Sequence, residues 1–357
     1  MTLTSIGWND FFERAFAAFR VAELIPARVA LQHRNYYVLY STLGELRGEP
    51  TGKMQYMASG PQDLPAVGDW VVIDPRPYEQ AATIVDVLPR KTKFSRQAAG
   101  RKTEEQIVAA NIDSVFIVSG LDNDFNLRRI ERYLVLAIES GASPVVLLNK
   151  VDLCEDPEGA RTETTSLNPH VPVHVLSALK NEGVDVIRNY LRNGATGALL
   201  GSSGVGKTTI INRLLGTDER KTAPVREADD RGRHTTAARE LILLPAGGLL
   251  IDTPGMRELQ LWSSSDAVSE VFEDIEVLAE NCKFRDCSHE VEPGCAVKEA
   301  LEQGVLDEGR YESYRKLHRE LQYQQRKYDP AEQRKEKERW KKIMTEYKKN
   351  KKKRGKS

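Results

Sequence analysis

The residues with the clearest chemical purpose form one short loop, Gly201-Ser202-Ser203-Gly204-Val205-Gly206-Lys207-Thr208, which satisfies G-x-x-x-x-G-K-[ST] at every fixed position. Glycines let the backbone N–H groups of such a loop surround a phosphate, the lysine reaches the β- and γ-phosphates, and the Thr208 hydroxyl can bind Mg²⁺. An apolar run precedes the loop and helical spacing follows it from Thr209, which is the strand-loop-helix context that the pattern requires. The loop predicts a nucleoside triphosphate site that includes Thr209. The alternative is a Gly/Ser-rich turn that matches by chance.

Two further motifs carry groups that match a guanine base. N-K-V-D follows one apolar run, and S-A-L-K follows another. The Asp152 carboxylate can accept hydrogen bonds from guanine N1–H and from the exocyclic amine, whereas adenine has no matching pair of donors. Backbone N–H groups of the S-A-L loop can donate to guanine O6. Each motif is weak alone, but together they predict a base site formed by Asn149, Lys150, Asp152, Ser177 and Ala178.

A polar segment, 217–239, and the end of a later strand supply candidates for sensing the γ-phosphate. The segment contains G-R-H-T-T, in which either Thr235 or Thr236 could complete the Mg²⁺ shell. The motif D-T-P-G follows the strand, so the Asp252 carboxylate would be the acidic partner of Mg²⁺. The Gly255 N–H of the same motif would contact the γ-phosphate.

The group that orients the attacking water is not the usual one. In the GTPases that these motifs resemble, glutamine commonly stands directly after the glycine of D-x-x-G, but Met256 stands there in this chain. A thioether cannot position water by hydrogen bonding, so His234 becomes the candidate catalytic group beside Lys207 and Thr208. The alternative interpretation of His234 is a surface-loop histidine.

Three of the four cysteines lie within fourteen residues and predict a metal site. Cys282, Cys287 and Cys295 stand with His289 in the pattern C-x4-C-x-H-x5-C, whereas Cys154 is alone. Three thiolates and an imidazole are a closed tetrahedral set suited to one structural Zn²⁺. Such a cluster indicates a reducing compartment and not a disulfide framework. The alternative is three buried cysteines and a capping histidine.

The elements that must position these groups form a doubly wound, mostly parallel sheet. Buried-type strands are predicted within 107–119 and at 143–148, with an amphipathic helix between them at 127–137. This spacing indicates parallel pairing, and such sheets bind ligands beyond the carboxyl ends of their strands. Further strands that lead into the motifs are predicted at 172–176, 196–200 and 247–251.

The N-terminal region combines a helix with short strands. Trp8, Phe12 and Phe16 recur at helical spacing and predict a helix packed on the next domain, or alternatively a partner-binding helix. Alternating patterns then predict a barrel, and an RNA-binding OB-fold is the natural candidate. Its strands are predicted at 28–32, 36–40, 43–47, 53–58, 69–73 and 82–87. The basic segment 90–96 includes Phe94 and suits either RNA contact with base stacking or a basic linker.

The composition is that of a soluble globular protein of two or three domains, with 40% apolar and 29% charged residues over 357 positions. Basic and acidic residues balance at 52 each, but the tail from Arg334 is strongly basic, which indicates a polyanionic partner or a solvated terminus. Asp10, Glu13 and Arg14 interrupt the apolar N-terminus, and no apolar run approaches the ~18 residues of a membrane span. We expect a cytoplasmic protein with no membrane partner.

The motifs together resemble those of the translation-factor-like GTPases in rotated order. N-K-V-D and S-A-L precede the phosphate loop, while G-R-H-T-T and D-T-P-G follow it, which is a circular permutation. With the barrel and the cysteine cluster, the chain from about 29 to 314 resembles the ribosome small subunit-dependent GTPase A family, RsgA. The resemblance implies hydrolysis of GTP to GDP stimulated by the small ribosomal subunit. It also implies a role in late subunit maturation and contacts of the barrel and zinc domain with ribosomal RNA.

The predicted fold class is multidomain α/β, with an OB-fold β-barrel, a circularly permuted P-loop GTPase domain and a zinc-binding helical domain. The expected domains are an N-terminal helical extension at 1–25, the barrel at 26–98, the GTPase domain at 104–262, the zinc-binding helical domain at 263–329 and the basic tail at 330–357. We expect a monomer that uses GTP, Mg²⁺ and one Zn²⁺, and that contacts ribosomal proteins as well as RNA. Two alternatives stay open: an RNA-binding assembly protein whose nucleotide is a structural plug, and an ATP-using P-loop enzyme.

Overall fold

The computed structural model describes residues 1–20, 23–97, 105–217, 239–252, 261 and 265–328. Four predicted site residues, His234, Thr235, Thr236 and Gly255, lie outside the described residues, as does the basic tail from Arg334. The remaining predicted nucleotide and metal residues all lie inside them.

A short helix and a closed barrel form the N-terminal part. Helix α1 (Asp10–Phe16) precedes β1 (Ile25–Gln32), β2 (Tyr37–Ser41), β3 (Gly44–Pro50), helix α2 (Gly52–Met57), β4 (Trp70–Arg76) and β5 (Ala81–Val87). The strands pair in the order β1-β2-β3-β5-β4, and β4 also pairs with β1, so the five-stranded barrel closes. The β3–β5 pair is parallel, and the other barrel pairs are antiparallel. The prediction of an OB-like barrel is confirmed.

The strand predicted at 53–58 is wrong, because this segment forms helix α2. Its N-cap is Thr51, whose side-chain oxygen accepts a hydrogen bond from Met54 N at 3.1 Å. Tyr56 and Met57 are 88% and 68% exposed. A short helix exposed on both flanks has no apolar stripe to distinguish it from alternation, whereas the threonine cap stabilises its first turn.

The aromatic N-terminal helix packs on the barrel, as the first interpretation predicted. The Trp8 ring lies 4.7 Å from the Trp70 ring in an edge-on arrangement, and Phe12 lies 5.7 Å from it. Arg28 is buried beneath them and donates to Ile6 O, Gly68 O and Asn111 O. Burial lowers the pKa of the Arg28 guanidinium to about 10. This side chain therefore ties the N-terminal segment and the barrel to the start of the next domain.

A two-stranded antiparallel ribbon, β6 (Lys93–Gln97) and β7 (Glu105–Ala110), connects the barrel to the sheet domain. Phe94 is 3% exposed, so its ring belongs to the core and the predicted base stacking by this residue is wrong. Arg90 is also committed internally, because it donates to both carboxylate oxygens of Asp69 at 2.8 and 2.7 Å. These two side chains serve the structure of the connection.

The central sheet carries the predicted motifs. Its elements are β8 (Ser114–Gly120), α3 (Leu127–Glu139), β9 (Ser143–Asn149), α4 (Pro157–Leu167), β10 (Val173–Val175), α5 (Val186–Tyr190), β11 (Thr196–Leu200), α6 (Lys207–Leu215), β12 (Glu240–Leu243) and β13 (Leu249–Asp252). The spatial order is β10-β9-β8-β11-β13-β12, in which only β12 among the described strands of this domain is antiparallel to its neighbour. Separate apolar clusters cover the two faces, one with α3 and the other with α5 and α6. The doubly wound parallel sheet is confirmed.

Sheet and barrel are continuous, because β12 also pairs with β1 through Leu31 and Glu240. This junction makes one 11-stranded sheet out of two domains. Sequence periodicity gave no indication of it.

The C-terminal part is helical, with α7 (Ser265–Val271), α8 (Glu273–Glu280), α9 (Ala296–Glu302) and α10 (Glu308–Tyr328). Buried Arg310 on α10 donates to Glu131 of α3 at 2.9 Å and to Asp274 of α8 at 2.6 and 2.7 Å. Arg132 of α3 pairs with Glu320 of α10. Helix α3 is thus the face on which the C-terminal helices dock. Within the described ranges, no helix has the length and apolarity needed to cross a bilayer.

Candidate nucleotide and metal sites

The phosphate loop leaves the carboxyl end of β11 and leads into α6, which begins at Lys207. Two of its glycines are required by their surroundings. A Cβ on Gly201 would lie 2.3 Å from Val118 O, and one on Gly206, where φ is +100°, would lie 2.3 Å from Asn149 Nδ2. Val205 is buried below the loop, whereas Ser203 and Gly204 are exposed. Thr208 and Thr209 occupy the first turn of α6. The predicted strand, loop and helix are therefore in place.

The Lys207 side chain folds over the loop. Its Nζ donates to Gly201 O at 2.8 Å and to Ser202 O at 2.6 Å. The ammonium group is therefore held against two backbone carbonyls at the start of its own loop. A phosphate bound to the loop N–H groups would meet a positive charge that is already oriented.

Asn149 joins the predicted base site to the phosphate loop. This buried side chain accepts from Ala178 N at 2.9 Å through Oδ1 and donates to Val205 O at 2.7 Å through Nδ2. One amide thus connects N-K-V-D, S-A-L and the phosphate loop. Three motifs from separate parts of the chain converge on one edge of the sheet.

The base-reading carboxylate is oriented by the neighbouring motif. Asp152 Oδ1 accepts from Ser177 Oγ at 2.5 Å, and this hydrogen bond lowers the pKa of Asp152. Lys180 N donates to Ser177 Oγ at 3.2 Å. The carboxylate is therefore ionised at neutral pH and fixed in direction, as an acceptor for two guanine donors must be.

Asp252 closes β13 at the same edge of the sheet. β13 runs parallel to β11, with Ala198 opposite Ile251, so its last residue lies beside the start of the phosphate loop. A carboxylate and the Thr208 hydroxyl are the hard oxygen donors that Mg²⁺ prefers. The donor set fits the metal, and the predicted partners Thr235, Thr236 and Gly255 lie outside the described residues.

Four residues that the sequence analysis missed also contact the site. Asp122 Oδ2 accepts from Lys150 Nζ at 2.5 Å, and Arg213 of α6 donates to Ala178 O at 3.1 Å. Asp124 and Arg129 both contact Ser202 of the phosphate loop. The signal for the two carboxylates was their position directly after β8, where strand-end acidic residues of a parallel sheet meet a ligand edge. The two arginines carried no such signal.

The four predicted zinc ligands lie together. Their ligand atoms are all within 4.8 Å of one another. Cys282 Sγ lies 3.8 Å from Cys295 Sγ and 3.5 Å from His289 Nδ1, which in turn lies 3.4 Å from Cys295 Sγ. A tetrahedral Zn²⁺ with bonds of about 2.3 Å to sulfur and 2.0 Å to nitrogen would separate its ligands by roughly 3.8 and 3.5 Å. Spacing and donor chemistry therefore both fit Zn²⁺.

One further contact holds the backbone of the histidine ligand. Tyr311 Oη of α10 donates to His289 O at 2.7 Å, and His289 adopts a positive φ of 60°. The cluster is thereby attached to the long helix that docks on α3.

The chain is similar to known proteins over most of its length. The family model for the RsgA GTPase matches residues 87–262. The chain is 50% identical over 352 residues to the "Small ribosomal subunit biogenesis GTPase RsgA" of Opitutus terrae, covering 96% of both chains. It is 44% identical to the protein of the same name from Methanosarcina acetivorans, covering 96% of this chain and 92% of that one.

Solved structures agree in fold. YjeQ from Thermotoga maritima superposes with a TM-score of 0.61 at 26% identity and covers 84% of this chain and 98% of its own. YloQ, described as "a circularly permuted GTPase", superposes with a TM-score of 0.59 at 22% identity, covering 85% and 96%. The rotated order of the motifs is therefore a property of the fold.

Proposed function

Because the chain belongs to the RsgA GTPase family, we propose that it hydrolyses GTP while it assists late maturation of the small ribosomal subunit, and that the subunit stimulates the hydrolysis. The names of its relatives support the subunit as partner. The observation that carries the nucleotide part is the Asn149 side chain, which holds the base motif and the phosphate loop together. A ribosomal partner would place this protein in the cytoplasm, where we propose that it acts as a monomer.

The proposed nucleotide site divides the work between two groups of residues. Asp152 reads the guanine base, with Ser177 directing its carboxylate and Lys150 alongside. The second group binds the phosphates and consists of the loop and the first turn of α6: Gly201, Ser202, Ser203, Gly204, Val205, Gly206, Lys207, Thr208 and Thr209. Lys207 and the loop N–H groups stabilise the charge that develops on the phosphoryl oxygens.

We propose that Thr208 and Asp252 hold Mg²⁺, together with Thr235 or Thr236. When bound, Mg²⁺ neutralises charge on the β- and γ-phosphate oxygens. His234 is our candidate for orienting the attacking water, and Gly255 for contacting the γ-phosphate. If His234→Ala left subunit-stimulated turnover unchanged, that assignment would be wrong.

The barrel and the zinc-binding domain are the proposed contacts to ribosomal RNA. Two places on the barrel present groups of the type that RNA requires. The Arg47 guanidinium on β3 lies 4.6 Å from the half-buried Tyr36 ring, and Tyr78, between β4 and β5, is fully exposed. Aromatic faces and cations bind unpaired bases and phosphates. We add the basic tail from Arg334 as a further phosphate contact, whose deletion should flatten the salt dependence of subunit binding.

The decisive experiment measures phosphate release from GTP with and without purified small subunits, using Lys207→Ala as the inactive control. Release that rises on addition of subunits supports the proposal. Release at the level of the control under both conditions would favour a binding protein with a structural nucleotide. Competition between GTP and ATP separates the proposal from an ATP-using enzyme.

A further inference from the structure

The start of helix α3 lies beside the phosphate loop, and one side chain of the loop, Ser202, forms a closed triangle of hydrogen bonds with Asp124 and Arg129. Arg129 Nη1 donates to Asp124 Oδ1 at 2.5 Å and to Ser202 Oγ at 3.0 Å. The Ser202 hydroxyl in turn donates to Asp124 Oδ2. Asp124 and Arg129 stand 78 and 73 residues before Ser202 in the chain. The contact is therefore tertiary and not part of the loop motif itself.

Both partners of Ser202 are held at the N-terminal end of α3, because Arg129 lies in its first turn and Asp124 in the segment that leads into it. The Asn126 side chain caps α3 by accepting from Arg129 N at 3.0 Å. Ile130 and Leu134 anchor the helix in the core, each 1% exposed. Burial disfavours the charged carboxylate, but hydrogen bonds from Arg129 and Ser202 outweigh it, so the pKa of Asp124 lies below its ordinary value. Asp124 consequently stays ionised at neutral pH.

Ser202 is fixed from two directions. Its side chain is tied to α3, and its carbonyl oxygen accepts from Lys207 Nζ at 2.6 Å. The second residue of the phosphate loop thus connects the loop lysine to the helix below. Without the contact to Arg129, the Ser202 side chain would no longer hold this part of the loop against the end of α3.

We propose that Asp124 and Arg129 are positioning residues that clamp the phosphate loop onto helix α3 and keep its N–H groups preorganised for a guanosine diphosphate moiety. The inference rests on the proposed nucleotide function of the loop. The N–H groups of such a loop contact phosphates that GDP and GTP share. The clamp therefore contributes equally to the affinities for both nucleotides and leaves their ratio unchanged.

A matched pair on the same helix separates this role from simple stabilisation of α3. Arg132 donates to both carboxylate oxygens of Glu320 at 2.5 and 2.8 Å. Its side chain is 32% exposed, against 35% for Arg129. This pair joins α3 to α10 and does not involve the phosphate loop. Arg132→Met is thus a control for the loss of one arginine from α3.

The test compares the full-length wild type with Arg129→Met, Arg129→Lys and Arg132→Met. Fluorescent GDP and GTP analogues give the two dissociation constants, and hydrogen exchange of the peptide containing 201–206 reports on the loop without nucleotide. We expect Arg129→Met to weaken both nucleotides about tenfold, the effect of one charge-assisted hydrogen bond at a partly exposed site. Arg129→Lys should recover part of the affinity, and Arg132→Met should leave it unchanged.

Loop exchange should be faster in Arg129→Met than in Arg132→Met. The clamp is refuted if Arg129→Met binds both nucleotides within twofold of the wild type, or if the loop exchanges equally in both variants. A wild type that bound no guanine nucleotide would instead refute the proposed function. The exchange comparison needs no nucleotide and would still decide the clamp.

Discussion

Replacing Arg310 with methionine should release the C-terminal helices from the sheet domain. Arg310 donates to Glu131, to both oxygens of Asp274 and to the carbonyls of Leu167 and Val271. Glu131 is fully buried, and after the substitution Arg128 would be the cation that still contacts its carboxylate. Breaking a buried pair costs 3–5 kcal/mol, and the retained Arg128 contact points to the lower end, about 3 kcal/mol.

Hydrogen exchange of the α8 and α10 amides measures the free energy of this opening. A loss of about 3 kcal/mol corresponds to roughly a hundredfold faster exchange. Arg319→Met is the matched control, because Arg319 is 67% exposed and reaches Glu290 at only 3.5 Å. Exposed pairs of this kind contribute about 0–1 kcal/mol.

The pH dependence gives a sharper criterion. Burial raises the pKa of Glu131, so the folded state holds this proton more tightly than the unfolded state. The loss of stability caused by burying the charge is therefore complete above the folded pKa and disappears as the carboxylate becomes protonated. Without Arg310 that pKa should rise further. The deficit of Arg310→Met should therefore shrink as the pH is lowered from neutral toward the ordinary glutamate pKa of 4.5, and a deficit that did not change with pH would refute this account of the docking.

Three other outcomes are expected. Removal of metal by a chelator should release about one zinc per chain and accelerate exchange in α9, and an absence of zinc from the purified protein would contradict the site. Asp152→Asn should abolish the preference for GTP over inosine triphosphate, which lacks the exocyclic amine, and a preserved preference would exclude Asp152 as the base reader. Burial lowers the pKa of His174 below 6.5, so the unfolded state binds the proton first and stability should fall as the pH drops through 6.5 toward the folded pKa. His174→Gln should flatten this part of the stability curve measured by urea unfolding, and an unchanged slope would assign the effect to other groups.

Most of the sheet domain could be predicted because its motifs stand at strand ends. Each apolar run predicted a buried strand. The polar residues that end or follow these strands, such as Asn149 and Asp252, were therefore expected at one edge of the parallel sheet. The zinc cluster could be predicted for a different reason, since its four ligands are close in the chain and need little tertiary context.

The features that the sequence analysis got wrong or missed depend on tertiary contacts. Helix α2 and buried Phe94 depend on which neighbours cover them, and period alone does not reveal that. Arg129 was missed because its partner Ser202 lies 73 residues away. An arginine near the start of an amphipathic helix is ordinarily a solvated residue, and only the folded structure brings this one to the phosphate loop.

The junction between barrel and sheet brings the barrel close to the nucleotide edge of the sheet. Glu240, the first residue of β12, faces Asp252 across one strand boundary and Leu31 across the other. It stands four positions after Thr236 in the chain. Two strand spacings, roughly 10 Å, therefore separate the candidate magnesium carboxylate from the wall of the barrel. A displacement at the nucleotide would reach the barrel sideways through two neighbouring strand pairings, β13–β12 and β12–β1, without travelling along the chain.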